Sequence, residues 1–140
     1  MVNRKAGRAR GFTLLELLVV IVIIGLLASY VGPRYFAQLG KSETATARAQ
    51  LDGLRKALDT YRLDVGRYPS TAEGLASLSV RPAEGSDRWA GPYLSKPVPA
   101  DPWGHPYQYR SPGATEDYEL MSFGKDGKSG GSGENADIGG

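Results

Sequence analysis

The sequence contains no cysteine, which excludes both a disulfide framework and a thiolate metal site. Its 140 residues suffice for one domain with a modest core. An exported domain of that size without disulfides needs another staple, or oligomerisation, to supplement the core. Histidine is nearly absent. His105 stands alone between Gly104 and Pro106, without a nucleophile or a second ligand in view, and reads as a turn residue. No Ser/His/Asp arrangement can be assembled, so no catalytic residue is assigned. Acid is missing from the first eleven residues, which carry Arg4, Lys5, Arg8 and Arg10. Setting those four aside leaves 13 basic residues (17 less 4) against 15 acidic ones, a net charge of −2. The pI near 8.9 is therefore a product of the leader and offers no case for nucleic-acid binding.

Charge is also missing from a long internal stretch. Between Arg10 and Arg34 the only charged residue is Glu16. Phe12 to Gly32, about 21 residues, would span roughly 31 Å as a helix, one hydrocarbon core. The basic cluster before it and Arg34 just after it place the N-terminus in the cytoplasm and export the remainder. A cleaved secretory signal fits poorly, because the run is too long and no A-x-A site precedes Pro33. A plain signal anchor fits the length but leaves Glu16 without a purpose. A carboxylate costs about 2.5–3.5 kcal/mol at the bilayer centre and less near its ends, so its presence points to function.

Past Pro33, which would loosen a helix without necessarily ending it, Ala47, Leu51, Leu54, Leu58, Tyr61 and Val65 form an apolar stripe at helical spacing. Arg48/Asp52, Asp52/Lys56 and Arg55/Asp59 are i,i+4 pairs on the other face. A helix from Phe12 to Val65 would reach about 80 Å. A cofactor groove or a coiled-coil seam could use the stripe, but packing on the chain's own sheet is the simpler expectation. Gly66 and Tyr68-Pro69 stop the helix. Ser70 and Glu73 make a capping box for a short helix over Thr71–Leu78. Prolines 82, 92, 97, 99 and 102 dictate an irregular path to Gly104, with Asp101-Pro102-Trp103-Gly104 as a turn. Tyr107–Arg110 and Tyr118–Ser122 read as paired antiparallel strands, which need the helix stripe as their second layer. The expected class is α+β: a long N-terminal helix packed on a small antiparallel sheet.

Two segments resemble sites. Gly127-Lys128-Ser129 mimics the end of a P-loop, but Ser122 stands where its first glycine belongs and no long apolar helix follows. The glycine-rich tail from Phe123 on holds Asp126, Glu134, Asn135 and Asp137. It is either a flexible tail or a loop whose carboxylates and carbonyls suit a hard cation, although it does not match the EF-hand pattern.

Gly11-Phe12-Thr13-Leu14-Leu15-Glu16 resembles the class III signal of type IV pilins and pseudopilins. That resemblance implies removal of residues 1–11 by a membrane peptidase that cuts between Gly11 and Phe12 and N-methylates Phe12. Glu16 would then pair with the new Phe12 amine, or with that of a neighbouring subunit, as an assembly residue. "YPSTAEGLASL", "GPYLSKPVPADPWGHPYQYRSPG" and "SFGKDGKSGGSGENADIG" are similar, in the same order, to the major pseudopilins of the type II secretion system. Classical type IV pilins usually close this region with a disulfide, which this chain cannot make.

The implied protein is a non-enzymatic subunit in three parts: the leader 1–11, a transmembrane and assembly helix 12–32, and a periplasmic domain 33–140 with a calcium loop. Asp126 and Asp137 would supply carboxylates to calcium, Phe123 and Lys128 backbone carbonyls. Glu134 and Asn135 are further oxygen donors, since Ala136 stands where relatives can carry a second acid. The implied partners are other copies of the chain, minor pseudopilins, the inner-membrane assembly platform and the prepilin peptidase/methyltransferase. The implied location is the bacterial inner membrane, then a periplasmic filament that drives folded proteins through the outer-membrane secretin. A type IV pilus or competence pilin is the alternative; a membrane-anchored periplasmic enzyme is a more distant one.

Overall fold

The computed structural model of the chain describes residues 7, 10–85 and 87–139. The leader cations Arg4, Lys5 and Arg8 lie outside the described residues. Helix α1 (Leu14–Val65) runs 52 residues and carries Pro33 within it. The expected continuous helix is thus present, starting two residues after Phe12. It divides between two units, one ending at Gln38 and the other beginning at Leu39.

In the first unit the apolar side chains stay exposed among the described residues. The large apolar residues from Phe12 to Val31 are each 48–88% exposed, as expected of a surface made for lipid or for other helices. By length and composition α1 can cross a membrane. Arg34 lies over the Tyr30 ring, 4.8 Å from its centroid, a cation–π contact at the end of the apolar segment.

In the second unit the helical stripe becomes the core. Ala47, Leu51, Leu54, Ala57, Leu58 and Tyr61 are buried against Leu75, Leu78, Tyr107, Leu120 and Ile138. Each fully buried leucine contributes about 1.5–3 kcal/mol, so the stripe outweighs any surface ion pair on the same helix. None of the three expected i,i+4 pairs forms an ion pair among the described residues; Arg55 meets Asp52 at 3.2 Å, one turn back. Asp59 instead accepts from the Tyr68 hydroxyl at 2.9 Å.

Among the described residues the sheet has three strands in the order β1 (Gln108–Arg110), β2 (Glu119–Ser122), β3 (Ile138–Gly139), all antiparallel. Tyr109 faces Leu120 across the first pair, and Ser122 faces Ile138 across the second. Along β2, Leu120 and Ser122 point inward while Glu119 and Met121 stay half-buried, the period-2 alternation of a one-sided sheet. The first two strands match expectation. The third has no counterpart in the sequence pattern, since two residues inside a glycine-rich tail carry no strand signal.

The helix expected over Thr71–Leu78 is corrected. The capping box does form: Ser70 N donates to Glu73 Oε2 at 2.6 Å and Glu73 N to Ser70 Oγ at 3.2 Å. It closes only one turn, with Gly74 N donating to Ser70 O at 2.9 Å. Gly74 then adopts φ 63°, in the left-handed region, and the chain restarts as a 3-10 helix over Leu75–Leu78. Between Arg81 and Tyr107 the described residues form neither helix nor strand. This segment is pinned by Trp89 Nε1 donating to Ser77 O at 2.8 Å and Tyr93 OH donating to Asp64 at 2.9 Å.

Candidate functional site

Two regions hold the residues singled out by sequence, one at the head of α1 and one in the tail. At the head, Gly11 and Phe12 are exposed. A Cβ added at Gly11 would meet nothing within 4 Å. The fold of the described residues therefore makes no demand for glycine there. Glu16 is tied into the start of the helix. Its Oε2 accepts from Thr13 N at 3.1 Å, while Thr13 Oγ1 accepts from Glu16 N at 3.1 Å. This is a capping box, Thr-x-x-Glu, and it satisfies two of the donors that a helix start leaves open. The Thr-x-x-Glu spacing is a local sequence signal for this cap, whereas the isolated charge by itself points to pairing.

The tail leaves β2 at Phe123 and returns into β3 at Ile138. Five of its glycines, 124, 127, 130, 131 and 133, have positive φ, so the backbone turns repeatedly where a side chain would be strained. Asp126 Oδ1 accepts from Lys128 N at 3.1 Å. Both oxygens of Asp137 lie 3.0 Å from Gly130 N. The structure thus brings these two exposed carboxylates to one short segment, 128–130. Phe123 is half-buried at the loop entrance. Asn135 closes the 3-10 turn Gly133–Asn135, its N–H donating to Ser132 O at 3.1 Å. Glu134 faces elsewhere: its Oε2 accepts from Lys125 Nζ at 3.1 Å. Among the described residues no three His, Asp or Glu side chains converge. A cation held here would take two carboxylates and complete its shell from backbone oxygens.

A buried hub underlies the loop. Asp101, only 4% exposed, opens the expected turn, with Gly104 N donating to Asp101 O at 2.9 Å. Its Oδ1 accepts from Trp103 N at 3.1 Å and His105 N at 2.8 Å, and its Oδ2 from Ser122 Oγ at 2.7 Å. Ser122 Oγ in turn accepts from Gly124 N at 3.1 Å. A buried carboxylate is tolerated when its lone pairs are satisfied in this way. The same charge, after burial itself, helps push the Tyr107 hydroxyl up to about 12. His105 lies against the loop, Nε2 3.3 Å from Lys125 O, and a Cβ at Gly127 would come within 2.9 Å of its ring. Asp101 and Ser122 gave no sequence signal beyond the turn, because their meeting is a tertiary event.

Gly127-Lys128-Ser129 sits in the turns of this loop, not between a strand and a helix. Elsewhere, an open groove of about 690 Å³ runs between Arg67–Ser77 and Val80–Gly85. Two of its charged groups, Arg67 and Glu73, are joined to each other at 2.7 and 2.8 Å.

Two family descriptions match the chain. "Prokaryotic N-terminal methylation motif" covers residues 7–31, and "Type II secretion system (T2SS), protein G" covers residues 34–140. The chain belongs to the type II secretion system protein G family. It is 42% identical over 131 residues to the type II secretion system core protein G of Pseudomonas aeruginosa, covering 92% of each chain. The core protein G of Vibrio cholerae is 42% identical over 138 residues, 97% of this chain and 94% of that one. Among solved structures, the major pseudopilin from the type 2 secretion system of enterohaemorrhagic Escherichia coli aligns with a TM-score of 0.63 at 33% identity. That alignment covers 74% of this chain and 90% of the other. The resemblance drawn from the quoted motifs holds along both halves of the molecule, and the fold is pilin-like. Family members are structural pseudopilin subunits, which sets the exposed α1 segment and the small folded unit in a filament-forming context.

Proposed function

We propose that the chain is a core structural subunit of a type II secretion pseudopilus, anchored in the inner membrane by α1 and polymerised from it into a periplasmic filament. The observation that carries this is the division of α1. Its first part exposes apolar side chains from Phe12 to Val31 around a single capped carboxylate, and its second part buries a stripe in a folded unit. A lone folded subunit gains nothing from that exposed surface; a polymer with repeated heterologous contacts covers it. The role is mechanical, and the filament drives folded proteins through the secretin.

Cleavage between Gly11 and Phe12 would convert the Phe12 amide into an ammonium one residue before Thr13. Glu16 is then the nearest acid in the described apolar segment, held at the helix start by Thr13. Its charge guides a subunit into register with the amine of its own or a neighbouring chain. Calcium is the proposed staple of the tail. The donor chemistry fits a hard cation: Asp126 and Asp137 bring carboxylates to the 128–130 segment, and Phe123 and Lys128 offer carbonyls. A bound calcium ion would cross-link the two arms of the loop through these oxygens.

Glutamine at position 16 separates cap from charge, because Gln serves a capping box as well as Glu does. Glu16→Gln and Glu16→Ala should both be processed, losing residues 1–11 and gaining one methyl by intact mass, while Gly11→Leu keeps its leader. Both Glu16 variants should assemble filaments poorly when pseudopili are sheared and counted. Filaments at the wild-type level from Glu16→Gln would reduce Glu16 to a cap.

A further inference from the structure

Gly40 is buried on α1, and the space in front of its Cα is filled by another residue. A Cβ built there would collide with Glu134 Oε1, and would stand 2.6 Å from Cδ and 3.1 Å from Cγ of the same side chain. The Glu134 carboxylate therefore lies in a socket that only glycine leaves open. Lys125 holds it from the other side: its Nζ is 3.1 Å from Glu134 Oε2, and its own N–H donates to Glu134 O at 2.9 Å. Lys125 and Glu134 belong to the outgoing and returning arms of the tail loop. The two arms are so close that a Cβ at Gly124 would come within 2.8 Å of Glu134 O.

We propose that Gly40, Glu134 and Lys125 form a latch that docks the glycine-rich loop on α1, with Glu134 positioning the loop and not ligating its cation. The proposal rests on the calcium reading for its second half only. The ion pair is half-exposed and contributes little alone. The seating on Gly40 makes it specific, because it removes one face of the carboxylate from water and sets the loop's distance from the helix. The latch leaves Asp126 and Asp137 free to face the 128–130 segment while Glu134 is engaged elsewhere. Order in the loop and order at the Gly40 turn of the helix are thereby one event.

The test uses the processed full chain in detergent micelles, with and without chelator. Trypsin reads loop opening directly, since exposed Lys125 and Lys128 both lie in the loop. Gly40→Ala evicts only the far end of a flexible side chain, so the fold survives, and Ala ordinarily favours a helix. In chelator, the latch predicts cleavage after Lys125 and Lys128 about tenfold faster in Gly40→Ala than in wild type. Glu134→Ala should behave alike, and the double variant no worse than either single one. With calcium alone as the probe, calorimetry should find unchanged stoichiometry in Glu134→Gln and an affinity lowered only a few-fold. Wild-type cleavage rates in Gly40→Ala, or additive effects in the double variant, would overturn the latch. Loss of calcium binding in Glu134→Gln with unchanged cleavage in chelator would make Glu134 a ligand and overturn it too. If wild type ignores calcium while Gly40→Ala still opens the loop, the calcium reading fails and the latch stands.

Discussion

Glu73 shows how one side chain can serve two local devices. It closes the capping box with Ser70 and grips Arg67 with both oxygens at 2.7 and 2.8 Å. The Arg67 guanidinium, aided by the Ser70 amide, draws its carboxyl down to about 2. A depressed folded-state value means the contribution is complete above the ordinary carboxylate value near 4.5 and vanishes as pH falls through about 2. Arg67 is half-exposed, so solvent screening limits the gain to on the order of 1 kcal/mol. Glu73→Gln should therefore melt below wild type at neutral pH. The gap should narrow between pH of about 4.5 and about 2 in a melting series followed by near-ultraviolet dichroism. A gap independent of pH would show that the pair contributes packing and no charge.

At the scale of elements, the tail loop depends on a turn more than on the sheet it joins. β3 is two residues long and cannot hold the returning arm by its own ladder. The Asp101 turn compensates, binding Ser122 at the end of β2 and, through that hydroxyl, Gly124 at the loop's first step. Asp101→Ala would leave the half-buried Trp103 and His105 amides and the buried Ser122 hydroxyl without their acceptor. It should cost about 3 kcal/mol in urea unfolding of the processed chain in detergent, against about 1 kcal/mol for Asp101→Asn, which keeps an acceptor. Equal, small losses in both would mean that water replaces the carboxylate at no cost. The turn at Asp101-Pro102-Trp103-Gly104 was legible, because proline at its second position and glycine at its fourth have local reasons. The carboxylate's reach to Ser122, 21 residues away, has none.

For the whole molecule, the second unit has no covalent staple, and among the described residues its core rests on one helix face, a 3-10 turn and short strands. An ion bound only by the folded state would add RT ln(1 + [L]/Kd), about 1.4 kcal/mol at tenfold excess, or roughly 5–10 °C in melting temperature for a unit of this size. Extracellular calcium modules have Kd of about 10⁻⁴–10⁻³ M, so millimolar calcium against chelator is the relevant comparison. Wild type should gain that increment, and Asp126→Ala and Asp137→Ala should each lose most of it. A melting curve indifferent to calcium would leave the loop held by its latch and hub alone.

The sequence by itself determined what depends on period and on local chemistry. The apolar run behind Glu16, the stripe from Ala47 to Val65, the first two strands and the turn at Asp101 all follow from residues within a few positions of one another. So does the Thr13–Glu16 box, though it takes attention to the cap as well as the charge. Tertiary structure decided the rest. Gly74 broke the helix that Ser70 and Glu73 begin, because the chain must turn to put Leu75 and Leu78 into the core. Ile138 became a strand only because Ser122 lay opposite it. Glu134, one of several acids in a glycine-rich tail, is directed by Gly40, 94 positions earlier in numbering. Such contacts join side chains whose proximity depends on packing that no local pattern encodes, and a glycine that makes room for a distant carboxylate looks, in sequence, like any other glycine in a helix.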